Sequence, residues 1–204
     1  MNDLAQLTLD EFLDRVAGRT AAPGGGSVAA GAGALAAALA RMVVAYSIPK
    51  NESTAARAPL EAIATRLHRA DEVLRALITR DATAYTAMVK ARPPRGGEAG
   101  RETYQQAVLG ALAVPMETAA AVAAILGTLD GFKEQANKNL LSDLVVAATL
   151  AAAAARAARY MVRVNAPEVA DPGLRDRLLS DIDAIVERCD AASRSIESFV
   201  AGRV

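Results

Sequence analysis

Asp81 stands where its neighbours' spacing asks for an apolar side chain. Leu60, Ile63, Leu67, Ala70, Leu74 and Leu77 recur every three or four residues before it, and Ala84 and Met88 continue the series after it. That spacing puts them all on one face of a helix. A carboxyl group on such a face is costly unless it is hydrogen-bonded or paired. Burial also raises its pKa toward the range useful for proton transfer. Two readings are open: a general acid/base in an internal cleft, or an acid at the edge of the stripe paired with an arginine such as Arg80 or Arg101.

Two further segments carry groups that could meet a ligand. The run Ala22-Pro23-Gly24-Gly25-Gly26-Ser27 precedes an apolar helical stretch. Its glycines let backbone approach a ligand closely. The N–H groups of the helix start favour an anion or a carbonyl oxygen, with Ser27 as the expected N-cap. The same run also reads as an ordinary turn and cap. Between Lys133 and Asp143, polar side chains gather just before a second apolar helix. Asn137, Asn139 and Asp143 could direct amide and carboxylate groups into a cleft, where they would suit a heterocycle with a donor and acceptor edge. The alternative is that Ser142 or Asp143 caps the helix. Lys50 could attract a ligand carboxylate or simply favour the negative helix end. Gly31-Ala32-Gly33-Ala34-Leu35-Ala36 matches the GxGxxA dinucleotide fingerprint. No strand precedes it, so it reads as close helix packing.

Composition excludes several classes. Lys+Arg and Asp+Glu both number 23 and aromatics are 3% with no Trp, so no basic or stacking surface for nucleic acid is expected. His68 is the only histidine and Cys189 the only cysteine. No metal site built on imidazole or thiolate is expected, and no intrachain disulfide. His68 falls off the apolar stripe and reads as surface; Cys189 falls on one and reads as a small hydrophobe. The N-terminus lacks a signal-peptide pattern. Ser27 to Ala40, the most apolar stretch, stops at Arg41. That is too short to span a bilayer, so a cytoplasmic protein without a membrane partner is expected.

The elements that must position these residues are helices. Alanine makes up about a quarter of the chain and is the strongest helix former. Breakers at Pro23–Gly26, Pro49, Pro93-Pro94 with Gly96-Gly97, Gly131, and Pro167 with Pro172-Gly173 divide it. The predicted helices are a short one carrying Leu9, Phe12, Leu13 and Val16, then Ser27–Ser47, then Ser53–Ala91. A fourth runs through Val108, Leu112 and Leu129 with a kink at Pro115; Leu140–Val164 and a last one from Leu178 to Phe199 follow. The fold class is all-α: an up-and-down bundle of about six helices forming one domain over residues 1–204. Nearly wholly apolar helices in so short a chain leave a stripe in need of cover, which predicts a dimer.

These motifs resemble the cyclodeaminase/cyclohydrolase family of folate enzymes. The matching pieces are EFLDRVAGRTAAPGGGSVAAGAGALAAALARMV near the start, DATAY from Asp81 to Tyr85, AVP from Ala113 to Pro115, ANKNLLSDLVVAA from Ala136, and VRVN ending at Asn165. They span roughly residues 8–170. The resemblance implies an all-helical homodimer with tetrahydrofolate bound between helices, no metal and no permanently bound cofactor. It implies that Asp81 is the proton-transfer acid. Pro23, Gly24, Gly25, Gly26, Ser27, Lys50, Lys133, Asn137, Asn139, Ser142 and Asp143 become the expected substrate-binding set.

Two reactions share that scaffold: hydrolysis of 5,10-methenyltetrahydrofolate to 10-formyltetrahydrofolate, and cyclisation of 5-formiminotetrahydrofolate with release of ammonia. The absence of a fused transferase domain from these 204 residues tilts the expectation toward the cyclohydrolase. A non-catalytic helical folate- or partner-binding module, and an enzyme acting on another small heterocycle, are the alternatives.

Overall fold

The computed structural model describes residues 3–50, 53–93 and 100–203. The Pro94, Gly96 and Gly97 breakers lie outside them. Six α-helices follow in chain order: α1 (Leu9–Ala17), α2 (Gly25–Ser47), α3 (Thr54–Ala91), α4 (Arg101–Phe132), α5 (Leu141–Asn165) and α6 (Pro172–Ala201). Among the described residues there is no strand.

Local chemistry sets the helix starts. Thr8 and Glu11 form a reciprocal capping box on α1. Ser53 accepts from the Ala56 N–H at the start of α3, and Asp171 accepts from Gly173 and Leu174 at the start of α6. The predicted kink residue Pro115 lies inside a continuous α4. Having no N–H, it withdraws the donor that would bond the Ala111 carbonyl.

Helices α2, α3, α4 and α5 pack in a ring, each against the next and α5 back against α2, with α6 laid over α4 and α5. Directions alternate. Arg41 of α2 meets Asp71 of α3 while Ser27 meets Asp81, and Arg156 and Arg163 of α5 meet Asp190 and Asp183 of α6. The inner helices are narrow because they are built of alanine and glycine. A Cβ on Gly33 would lie 2.9 Å from both Leu74 and Val122, side chains that are themselves fully buried. The GxGxxA match is therefore a packing surface, as its position inside a helix indicates.

Among the described residues the most deeply buried carboxylate is Asp71, only 2% exposed, at a position that the apolar spacing does not mark. It lies one residue beyond Ala70, and its partners are Arg41 from α2 and, at 2.7 Å, Arg75 on its own helix. This buried acid is the interhelical clasp that was weighed for Asp81. Asp71→Ala should lower unfolding free energy by about 1–3 kcal/mol, because two charge-assisted bonds go while both arginines can still reach water. Chemical denaturation of the variant checks this; kcat of the folded fraction should be unchanged.

The stretch Ser27 to Ala40, expected to be too short to span a bilayer because it stops at Arg41, belongs to an apolar helix that runs on to Ser47, with Arg41 paired to Asp71. Gly25–Ser47, Arg101–Gln135 and Lys138–Glu168 are each long and apolar enough to cross a membrane, by length and composition. About half of each apolar window is buried inside the bundle. A stripe of α2 stays outside, with Leu35 62% and Tyr46 69% exposed, beside the exposed Leu9 and Leu13 of α1.

Candidate active site

Asp81 faces the first turn of α2. Residue Gly24 is the N-cap and supplies no side chain, so the turn is open. Ser27 is not the cap that its position suggested: it is fully buried inside the first turn. Its hydroxyl lies 2.9 Å from the Ile78 carbonyl and 3.1 Å from Asp81 Oδ2. Gly26 is required by the same contact, since a Cβ there would fall 1.9 Å from Asp81 Oδ1. The three glycines thus have separate uses: Gly24 opens the cap, Gly25 faces Met161, and Gly26 makes room for the carboxyl group.

Burial pushes the Asp81 pKa above the ordinary 3.8, opposed by hydrogen bonds from the Ser27 side chain and backbone N–H. Ser27 has a single hydroxyl proton for its two acceptors. When that proton goes to the nearer Ile78 carbonyl, a protonated Asp81 can donate to Ser27 Oγ. The site therefore accommodates both protonation states of the acid, as a group that gives and takes protons requires. Neither candidate arginine pairs with it: Arg80 makes a two-pronged pair with Glu117 at 2.7 and 2.9 Å, and Arg101 is exposed at the start of α4.

A cleft of about 240 Å³ opens over Asp81. Its walls are Ala21, Ala22 and Gly24 to Gly26 from the loop and α2, Tyr85 one turn beyond Asp81, Ala111 of α4, and Met161, Val164 and Asn165 from the end of α5. Pro23, joined to Ala22 by a cis peptide bond, precedes the glycines and is buried.

The second half of the expected site is elsewhere. Neighbouring helices are antiparallel, so the end of α5, not its beginning, meets the beginning of α2. Twenty-two rises of about 1.5 Å separate the two ends of α2, about 33 Å. Lys50 is exposed beyond the far end. There the Asn137 N–H donates to Ser47 Oγ at 2.9 Å and its carboxamide donates to the Tyr46 carbonyl at 3.2 Å. The carboxamide oxygen accepts from Asn139 N–H. Asn137 is a brace between α2 and α5, while Asn139 is exposed. Ser142 and Asp143 lie in the first turn of α5, which has no side-chain cap. Lys133 donates to Asp130 and Ser195, both at 2.7 Å, and lies over the Phe199 ring. One chain does not bring Lys50, Lys133, Asn137, Asn139, Ser142 and Asp143 to the Asp81 cleft.

Sequence reasoning missed Tyr85, Met161 and Asn165 as cleft residues. The signal for Tyr85 was its place four residues after Asp81, on the same helix face. His68 is half exposed near Glu72, and Cys189 is buried with its thiol pushed up to about 11, chiefly by desolvation.

Fold and site together define an all-helical bundle with a cleft in which one partly desolvated carboxyl group sits beside a glycine-rich helix start. The chain belongs to the formiminotransferase-cyclodeaminase family, whose model matches residues 8–184. It is 29% identical to formimidoyltransferase-cyclodeaminase of Rattus norvegicus over 189 residues, 90% of this chain and 35% of that one. It therefore spans about a third of the length of that relative. It is 28% identical to methenyltetrahydrofolate cyclohydrolase of Methylorubrum extorquens, with 97% of each chain covered. The crystal structure of formiminotetrahydrofolate cyclodeaminase from Thermotoga maritima superposes with a TM-score of 0.88 at 29% identity, again covering 97% of each chain.

Proposed function

We propose that this chain is a one-carbon folate enzyme that hydrolyses 5,10-methenyltetrahydrofolate to 10-formyltetrahydrofolate or cyclises 5-formiminotetrahydrofolate with loss of ammonia. The observation that carries this reading is Asp81, desolvated and held by Ser27 at the mouth of the glycine turn, in a chain of this family. In the hydrolytic direction a water adds to the methenyl carbon and gives a proton to the Asp81 carboxylate. Asp81 returns that proton to N5 as the C–N5 bond breaks, while the hydroxyl of the adduct releases its own proton to solvent and becomes the carbonyl of the formyl group on N10. In the cyclising direction N10 attacks the formimino carbon. The N10 proton passes through Asp81 to the departing nitrogen, which already carries the second proton of a protonated formimino group and so leaves as ammonia. Both sequences move protons and no electrons, so neither calls for a redox group or a permanently bound cofactor. Much of the rate would come from holding the reacting carbon against the acid.

The cleft volume supports a dimeric form of this reading. About 240 Å³ is below the 300–1,000 Å³ typical of pockets that enclose a drug-sized ligand. It fits the reacting end of a folate and leaves the remainder outside. The exposed stripe of α2 calls for cover, and we assign that cover to a second copy of the chain. Antiparallel pairing along α2 would set the Asn137 and Lys50 end of one chain beside the Asp81 cleft of the other. This would reunite the residues that a single chain separates.

The test is to mix purified protein separately with 5,10-methenyltetrahydrofolate and 5-formiminotetrahydrofolate while following the methenyl absorbance. Loss of absorbance in the first mixture above the uncatalysed rate identifies the cyclohydrolase. Gain in the second identifies the cyclodeaminase. No change in either sinks the proposal.

A further inference from the structure

Asn165 is the cleft carboxamide that the chain itself leaves unused. It is half buried at the last residue of α5 and lines the Asp81 cleft. Its side chain makes no hydrogen bond with any described residue, whereas the Asn137 carboxamide is engaged at both its oxygen and its nitrogen. Both ends of this carboxamide are therefore free to bond a molecule that enters the cleft.

The backbone around Asn165 is braced. Glu168, three residues on, accepts from Arg92 at 2.8 Å and from the Tyr104 hydroxyl at 2.9 Å, and its carbonyl accepts from Gln105 at 2.9 Å. Gln105 in turn accepts from the Ala170 N–H at 2.8 Å. Tyr104 is itself buried. These contacts fasten the end of α5 to α3 and α4, so the carboxamide is presented from a fixed corner. Such preorganisation suits a ligand-orienting group. Ala111, another wall of the same cleft, has a carbonyl deprived of its helical donor by Pro115. The cleft is therefore lined by an amide that both donates and accepts, and by a residue whose carbonyl lacks its helical donor.

We propose that Asn165 positions the substrate by pairing its carboxamide with the lactam edge, N–H beside C=O, of the ligand's oxo-pyrimidine ring, while the Ala111 carbonyl accepts from a further ring or amino N–H. This assignment rests on the folate reading above. It makes Asn165 the group that fixes which way the heterocycle lies, so that the one-carbon centre faces Asp81. It also places in one chain the heterocycle recognition that the Lys133–Asp143 segment had been expected to provide.

The test is calorimetric binding of three probes to wild type, Asn165→Ala and the near-isosteric Asn165→Leu. The probes are 5-formyltetrahydrofolate, 6-methyltetrahydropterin (the heterocycle alone) and p-aminobenzoylglutamate (the remainder). Loss of a paired amide from a desolvated site should raise Kd about 10- to 100-fold for the first two probes. The Kd of p-aminobenzoylglutamate should change less than twofold. A merely structural role would weaken all three together and lower the melting temperature, and that result overturns the assignment. Unchanged binding of the pterin in both variants also overturns it, with the folate reading intact. If wild type binds none of the three, the folate reading falls, and this assignment with it.

Discussion

Asp81→Asn should lower kcat for the folate substrate by about 100-fold or more, because general acid–base catalysis typically contributes ~10²–10⁴-fold. The substitution keeps the shape of the side chain and removes the exchangeable carboxyl proton. Substrate affinity should change much less, since the walls of the cleft remain. The pH profile gives an independent readout. Burial raises the Asp81 pKa above 3.8, so wild-type kcat/KM should carry an ionisation above that value, and Asp81→Asn should lack it. The sign for stability follows from linkage. A raised folded-state pKa means that the native protein holds the proton more tightly than the unfolded chain. Stability is then greatest below 3.8 with respect to this group, and is lost as pH rises from 3.8 through the raised value. At neutral pH Asp81→Asn should melt no lower than wild type. A variant that loses activity because it unfolds would return Asp81 to a structural role.

Gly26→Ala should be almost as damaging, although alanine is the better helix former. The new Cβ would fall 1.9 Å from Asp81 Oδ1, so the carboxyl group must turn away from Ser27. A displacement of about 1 Å at a reacting group costs on the order of 100-fold in rate. The fold should tolerate the change within about 1 kcal/mol, because alanine gains roughly that in helix propensity. The neighbouring glycines provide controls. A Cβ on Gly25 meets the flexible end of Met161 at 3.3 Å, and one on Gly24 meets only the Ala21 carbonyl at 4.0 Å. The expected order of kcat is wild type ≈ Gly24→Ala, then Gly25→Ala, then Gly26→Ala. If Gly26 acts through Asp81, the Gly26→Ala/Asp81→Asn double variant should be no slower than Asp81→Asn alone. Additive losses would show that Gly26 has another role.

Much of the bundle was legible because its signals are local. The predicted helices Ser27–Ser47, Ser53–Ala91 and Leu140–Val164 differ by only one or two residues from Gly25–Ser47, Thr54–Ala91 and Leu141–Asn165. Three- and four-residue spacing and breakers suffice for that. The identity of the buried clasp was less legible. Asp71 and Asp81 are both carboxylates near the apolar stripe of α3, and periodicity does not tell which one an arginine from α2 will reach.

The sequence by itself determined the all-helical class, the family, and the candidacy of an acid on α3 and of a glycine run where α2 begins. All three depend on residue type and spacing along the chain. Only the tertiary structure decided which groups share the cleft. Antiparallel packing brings Met161 and Asn165, at the end of α5, to Gly25 and Asp81, and carries Asn137 and Asn139 to the other end of α2. A helix rises about 1.5 Å per residue, so a polar motif on the wrong end of a 25-residue helix is tens of ångströms from the cleft, however well its chemistry would suit the ligand.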